Sequence, residues 1–395
     1  MGITSSFDLI VVGGGPIGLS TAAEAVARGQ RTLVLERHGF FNENNGTSGA
    51  ERHWRLQYTQ EDLFQLTLAA RPLWQRLESL AERRLIHSIG SLWFGDVDVD
   101  TNEGKISETA RVMDKLDVRY EWLRAKEIER RYGFEALPGH FEGFFQPDGG
   151  TIDVRGTLAA LYGLAQAGGC ALHGDERVIE LLPGSSGVTV RTDRGTYHGD
   201  KVVLANGGSI NELLGPLGAR LDIKLYEMAL VSLRRRDETA DFPFWFVFQQ
   251  PTEEDTNLFY GFGRNPWSPS ELVRLGPVFE VHPLSGAAQV TGRPDPRHVE
   301  RLGSWVGRHL PALDPEPVHT STCLAVLPGD PERQFHLGSA AGLVPHGENL
   351  LLYSSGWGFK FVPLLGRVLV DLAVDGHTEY DISRLSPATP QEADQ

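Results

Sequence analysis

The sequence predicts an α/β protein whose first domain is interrupted by long insertions, and three observations carry this. Residues 7–36, "FDLIVVGGGPIGLSTAAEAVARGQRTLVLE", hold an apolar run, a glycine triplet, an alanine-rich stretch, a second apolar run and an acid, in that order. No uninterrupted alternation of strand and helix patterns follows. Pieces of the same kind return at 200–208, "DKVVLANGG", and at 349–376, "NLLLYSSGWGFKFVPLLGRVLVDLAVDG".

Each element has a local reason. Phe7 to Val12 is a short apolar run, as expected of a buried parallel strand. Gly13 permits the tight turn that follows, and Gly15 lets a pyrophosphate approach the backbone before Pro16. Gly18 allows close packing of helix on strand. The helix then turns its unpaired N–H groups and positive dipole end toward the phosphates. Arg31 to Leu35 is the second strand, and Glu36 closes it where the hydroxyls of an adenosine ribose would lie. Together these parts predict a Rossmann-like dinucleotide site. The acid disfavours a 2′-phosphate, hence NADP, and leaves NAD and FAD open. Further on, 44–58, "NNGTSGAERHWRLQY", is a Gly/Ser/Asn loop leading into arginines. Residues 186–198 alternate as a hairpin around Asp193-Arg194-Gly195. Residues 349–376 read as a strand, a glycine-rich turn and an amphipathic helix.

Composition narrows the partners. The 395 residues carry 37 basic and 52 acidic side chains, a formal charge of −15. Such a surface repels nucleic acid and anionic lipid. The longest basic run, Arg234-Arg235-Arg236, reads as a strand end. Two cysteines, Cys170 and Cys323, cannot build a disulfide framework and suggest a reducing compartment. The N-terminus offers no signal-peptide pattern, and no segment reaches the roughly 20 apolar residues of a membrane span. The expectation is a cytoplasmic protein. Cys170, in the turn "AQAGGCALHG", reads as buried packing. Cys323, in "TSTCLAV", reads the same way if taken alone, since free cysteine is among the most buried residue types.

The layout resembles the D-amino-acid oxidase/sarcosine oxidase superfamily of flavoenzymes, and within it the monomeric sarcosine oxidase group, over essentially the whole chain. The resemblance rests on Gly13 to Gly18 with Glu36, Gly46-Thr47-Ser48-Gly49 with Arg52 and Arg55, Val202 to Gly207, Cys323, and Gly356-Trp357-Gly358-Phe359-Lys360-Phe361. The stretches "QPDGGTIDVRGTLAAL" and "CLAVLPGDPERQF" look like the branch that oxidises cyclic imino acids in peptidyl-antibiotic biosynthesis.

The resemblance implies FAD as cofactor, joined through the Cys323 sulfur to the flavin 8α-methyl. It assigns to FAD Gly13, Gly15, Pro16, Gly18, Glu36, Arg37, Thr47, Ser48, Arg52, Val178, Gly207, Gly356, Gly358, Phe359 and Lys360. Arg55 and Lys360 would hold a substrate carboxylate, a pairing that suits a bidentate guanidinium and a compact ammonium. Trp357 stands where sarcosine-oxidising relatives carry histidine. It either fills space or shapes a slot for a flat six-membered ring. Glu103, in a polar loop, would move protons between imine and enamine tautomers. Tyr260 would bond the substrate from a sheet facing the flavin. Arg274 would supply the positive charge that activates oxygen, in place of the family's lysine. Val278 stands where the branch carries an acid.

The implied reaction is oxidation of piperideine-2-carboxylate to picolinate by a monomeric enzyme, with dioxygen as acceptor and hydrogen peroxide released. The alternatives are a secondary-amine oxidase of sarcosine, proline or pipecolate and, from another class, a non-catalytic flavin-binding protein. The expected fold class is α/β and α+β. An FAD-binding domain of residues 1–86, 150–220 and 323–395 is interleaved with a mixed-sheet substrate domain of 87–149 and 221–322. The polar tail "SPATPQEADQ" reads as disordered.

Overall fold

The computed structural model describes residues 5–387 apart from 44–45, 238–240, 253–256, 278–282, 287–288, 331–333 and 355–356. Gly356, Val278 and the tail beyond 387 therefore lie outside the described residues.

The first strand, Ser5–Val12, pairs in parallel with Thr32–Leu35 on one side and Thr196–Leu204 on the other. Its last four residues are buried, as a central parallel strand demands. Between the first two strands runs the helix Pro16–Ala27. The sheet continues outward through the hairpin Gly187–Thr192 and Val178–Gly184 on one edge and through Ala171–His173 on the other. The C-terminal strand Leu350–Ser354 adds in parallel to Thr196–Leu204. Pieces from the start, middle and end of the chain thus build one sheet, and the hairpin forms around Asp193 as its alternation predicts.

A second sheet is mixed. Its eight strands run Leu313–Pro328, Ile223–Arg235, Leu272–Pro277, Phe259–Gly261, Phe244–Phe248, Ser91–Gly95, Glu142–Gln146 and Glu121–Arg124. Phe244–Phe248 and Ser91–Gly95 pair in parallel, and their other neighbours are antiparallel. The Arg234–Arg236 run falls at the end of Ile223–Arg235, as expected. A third, small sheet joins Glu51–Trp54, Gly150–Asp153 and Ile86–His87. Arg52 belongs to this sheet, and Arg55 follows directly after it.

The strand Leu313–Pro328 pairs with Ile223–Arg235 from Leu313 to Pro328, placing Cys323 opposite Met228. Cys170 is buried at the start of Ala171–His173, where its thiol donates to the Thr32 carbonyl at 3.4 Å and burial pushes its pKa up to about 12.

The first helix packs against the C-terminal helix Val362–Val374 at Gly366. A Cβ on Gly366 would come within 2.7 Å of a Ser20 backbone carbon. Helix propensity alone favours alanine over glycine by about 1 kcal/mol. Crowding against backbone works the other way and costs about 1–3 kcal/mol. Gly366→Ala should therefore lower the thermal midpoint of the holoenzyme by several degrees, measured by circular dichroism. A midpoint that rises would show that the two helices part without cost.

Candidate active site

The site begins at the glycine turn. Gly13 has φ +108°, a conformation side chains rarely adopt, and a Cβ on Gly18 would fall on the Gly13 carbonyl oxygen. Nothing lies within 4 Å of where a Cβ on Gly15 would be, so the backbone there is open to a ligand. Gly15 caps the helix without a side-chain bond, which leaves the helix N–H groups facing that space. Glu36 is braced by its own turn: its carboxylate accepts from the Gly14 N–H at 2.7 Å and from the His38 N–H at 3.0 Å.

A cleft of about 1300 Å³, open at its mouth, runs from here across the sheet edge. Gly13, Gly15, Pro16, Glu36, Arg37, Thr47, Arg52, Val178, Gly207, Gly358 and Phe359 all line it. Gly18 acts from behind, through packing. Ser48 faces elsewhere, its hydroxyl donating to the Glu43 carbonyl at 2.5 Å. Glu176 also lines the cleft, although nothing about it stands out in the sequence. Its buried carboxylate accepts from Thr192 at 2.6 Å and Tyr197 at 2.8 Å, and Glu176 Oε2 lies 2.9 Å from His173 Nδ1. These partners come from separate strands, so no local motif announces the cluster.

Through Gly46, Arg52, Leu324 and Phe359 the cleft continues into a second, smaller cavity. Arg55, Glu103, Tyr260, Arg274, Trp357 and Lys360 all line this cavity, as does Cys323. Leu324 and Val326 face the first cleft. The donor set fits FAD: a glycine cradle for phosphates, an acid at the ribose end, and a cysteine where the long cleft meets the smaller cavity.

Burial of charge dominates the second cavity. Arg55 forms an ion pair with Glu103, and both are buried. The guanidinium lies 4.4 Å from the Tyr58 ring centre and 4.9 Å from that of Trp93, which fixes its plane. Burial works against the Arg55 charge, but Glu103 and Tyr58 together raise its pKa above the ordinary value. Glu103 is held in place by its turn, where its N–H donates to the Thr101 hydroxyl at 3.2 Å and that hydroxyl donates to the Gly104 carbonyl at 2.7 Å. Lys360 has no carboxylate partner among the described residues and donates to the Trp357 carbonyl at 3.1 Å. Burial first, then the nearby Arg55 charge, holds its pKa well below that of an ordinary lysine.

Arg52 donates to the carbonyls of Glu51 at 2.8 Å, Gly46 at 2.9 Å and Ser48 at 2.8 Å. Burial, reinforced by Arg274, lowers its pKa. The Arg274 charge is compensated: its Nε lies 3.1 Å from Glu51 Oε2, and its Nη2 donates to the Glu51 carbonyl. Glu51 also accepts from Asn265 at 2.9 Å and Ser268 at 2.8 Å. Arg52, with carbonyl partners alone, is the less compensated cation. Sequence reasoning missed Glu51, because its partners Asn265, Ser268 and Arg274 lie more than 200 residues away. Cys323 is buried, which pushes its thiol up, while Arg52 and Arg274 pull it down.

The apolar wall is aromatic. Phe244 lies 6.2 Å from Tyr260 with planes 20° apart, and Phe246 and Phe262 pack edge-on beside them. Burial drives the Tyr260 hydroxyl up to about 12, so it stays protonated. A Cβ on Gly358 would fall on the Tyr353 hydroxyl, so the turn carrying Trp357 and Lys360 requires glycine there. The half-buried Trp357 closes the cavity from that side.

Comparison with known proteins agrees with this geometry. The solved open form of NikD, an unusual amino acid oxidase essential for nikkomycin biosynthesis, is 65% identical, with TM-score 0.93 over 97% of this chain and 98% of that one. Monomeric sarcosine oxidase of a Bacillus species is 24% identical, covering 97% of each chain. A longer Dictyostelium discoideum protein described as a bifunctional amine oxidase is 28% identical over 97% of this chain, which spans 37% of its length. No helix among the described residues is long and apolar enough to cross a membrane. Residues 8–372 match the family described as DAO, FAD dependent oxidoreductase. The chain belongs to that family and is an FAD-dependent oxidoreductase of the amine and amino-acid oxidases.

Proposed function

We propose that the protein oxidises the cyclic imino acid piperideine-2-carboxylate to picolinate, as a monomer, with FAD held covalently through Cys323. The observation that carries this reading is an aromatic-lined cavity that brings together Arg55, Lys360 and Cys323. The 65% identity to the nikkomycin oxidase supports it. Bound FAD would accept hydride and pass electron pairs to dioxygen. Conversion to picolinate removes four hydrogens, so each turnover consumes two dioxygen molecules and releases two of hydrogen peroxide. The second removal is favoured because it completes the aromatic ring.

The protein's share of the work is binding and proton control. Lys360 and Arg55 take the carboxylate, and fixing the ring in this way lowers the barrier by several kcal/mol, on the order of the effects known for oriented reactants. Glu103 already sits on Arg55, so it lies beside the bound carboxylate and serves as the base that interconverts imine and enamine. Tyr260, protonated throughout the working range, can donate a hydrogen bond but cannot act as base. Trp357 and the facing phenylalanines exclude water and hold the ring flat. Arg52, rather than the compensated Arg274, supplies the positive charge toward the flavin. Thioether formation removes the Cys323 thiol proton and one methyl hydrogen with two electrons, which dioxygen takes up.

Anaerobic mixing of the holoenzyme with freshly made piperideine-2-carboxylate should bleach the flavin band. An unchanged spectrum, or faster peroxide formation from pipecolate than from the imine, would sink the substrate assignment. Acid precipitation should leave yellow colour in the pellet, and Cys323→Ala should move it to the supernatant. Colour that stays in the pellet with Cys323→Ala would place the linkage elsewhere.

Affinity for a carboxylate should also depend on pH. Lys360 has its pKa lowered in the free enzyme and must be protonated to bind an anion, so binding is full below that pKa and fades above it. Arg55 stays charged, and Tyr58 and Tyr260, both pushed to about 12, stay neutral over this range. The dissociation constant of picolinate should rise about tenfold per pH unit above the Lys360 pKa. Lys360→Met should abolish the inflection, and an inflection that survives the substitution assigns it to another group.

A further inference from the structure

His53 stands between Arg52 and Trp54 on the small sheet, and its ring forms part of the second cavity's wall. One face stacks on Phe244, with centroids 3.5 Å apart and planes 12° apart, so the ring plane is fixed. Nε2 lies 2.8 Å from the hydroxyl of Ser91, a fully buried residue. That hydroxyl accepts from Gln57 Nε2 at 2.9 Å. The Gln57 amide cannot be reversed without loss, because its Oε1 accepts the Leu56 N–H at 3.2 Å.

The proton inventory then settles the tautomer. Ser91 Oγ receives one hydrogen from Gln57 and has one of its own to give. Among the described residues its one acceptor is His53 Nε2. A neutral imidazole that accepts at Nε2 carries its proton on Nδ1. Nδ1 has no partner among the described residues, and the ring borders open space at the cavity. The ring is neutral for a separate reason: burial first, then the charges of Arg55 and Lys360, hold its pKa well below the ordinary histidine value. The same electrostatic coupling puts His53 in the field of the two groups read above as the carboxylate clamp.

We propose that His53 is a third recognition group for the substrate carboxylate, a neutral Nδ1–H donor of fixed tautomer standing beside Arg55 and Lys360. The inference rests on the reading that these two cations hold a carboxylate. It adds a directional contact without another charge. Ser91 and Gln57 are positioning residues, because they act only by fixing which nitrogen carries the proton.

Two isosteric substitutions separate this role from a packing role. The amide nitrogen of His53→Asn falls near Nδ1 and keeps a donor toward the cavity. The amide of His53→Gln reaches instead to the Nε2 position and keeps the bond to Ser91. Dissociation constants for picolinate and for benzoate, a planar carboxylate without a ring nitrogen, are read from the flavin spectrum of holoenzymes matched for flavin content. The expected result is about tenfold weaker binding of both ligands by His53→Gln, with His53→Asn within about threefold of the parent. The opposite order assigns His53 to propping Ser91 and overturns the proposal, as do equal effects of the two substitutions or none. A loss confined to picolinate moves the contact to the ring nitrogen and overturns the carboxylate assignment. If the parent enzyme binds neither ligand, the clamp reading itself falls, and this inference falls with it.

Discussion

Concentrating positive charge around one aromatic-lined cavity is the constraint around which this molecule is organised. Arg52, Arg55, Arg274 and Lys360 all line one cavity, and an uncompensated buried charge costs several kcal/mol. Each is answered differently. Arg55 has the Glu103 carboxylate, Arg274 has Glu51, Arg52 has three backbone carbonyls and Lys360 has one. The order of compensation is also an order of availability. Arg274 has a carboxylate beside it, and Lys360 has none among the described residues.

That arrangement explains why three sheets must meet here. The small sheet brings Arg52 and His53, the chain just beyond it brings Arg55, the mixed sheet brings Tyr260, Arg274 and Cys323, and the turn after Leu350–Ser354 brings Lys360. Glu51 is the joint between two of them. It belongs to the small sheet, yet its bonds run to Asn265, Ser268 and Arg274, more than 200 residues later. Aromatic side chains fill the remaining wall because they supply area and fixed shape without adding a polar atom that needs a partner.

Legibility in the sequence follows the range of the interactions. Residues 7–36 could be read directly, since the turn, the helix start and the acid after the second strand are local consequences of glycine, proline and glutamate at set spacing. The six residues expected to take part in catalysis do line one cavity, because family resemblance carried long-range information that periodicity lacks. Arg274 lines the cavity, but its ion pair with Glu51 was not legible, because the two meet only in three dimensions. His53 was missed for the same reason. A histidine between two arginines looks like one more polar residue until Ser91 and Gln57 are seen to dictate its tautomer. Ser48 shows the limit of motif transfer: its neighbour Thr47 lines the cleft while its own hydroxyl serves the loop.

The long pairing of Leu313–Pro328 with Ile223–Arg235 has a mechanical consequence. Cys323 sits deep in that pairing, whereas the glycine turn and Glu36 belong to the other large sheet. FAD, if joined at Cys323 as proposed and cradled at Gly13 to Gly18, would act as a tie rod between two sheets that share no strand. Separation of the two sheets would then be opposed by the cofactor itself, so filling the site would stiffen the protein as well as equip it.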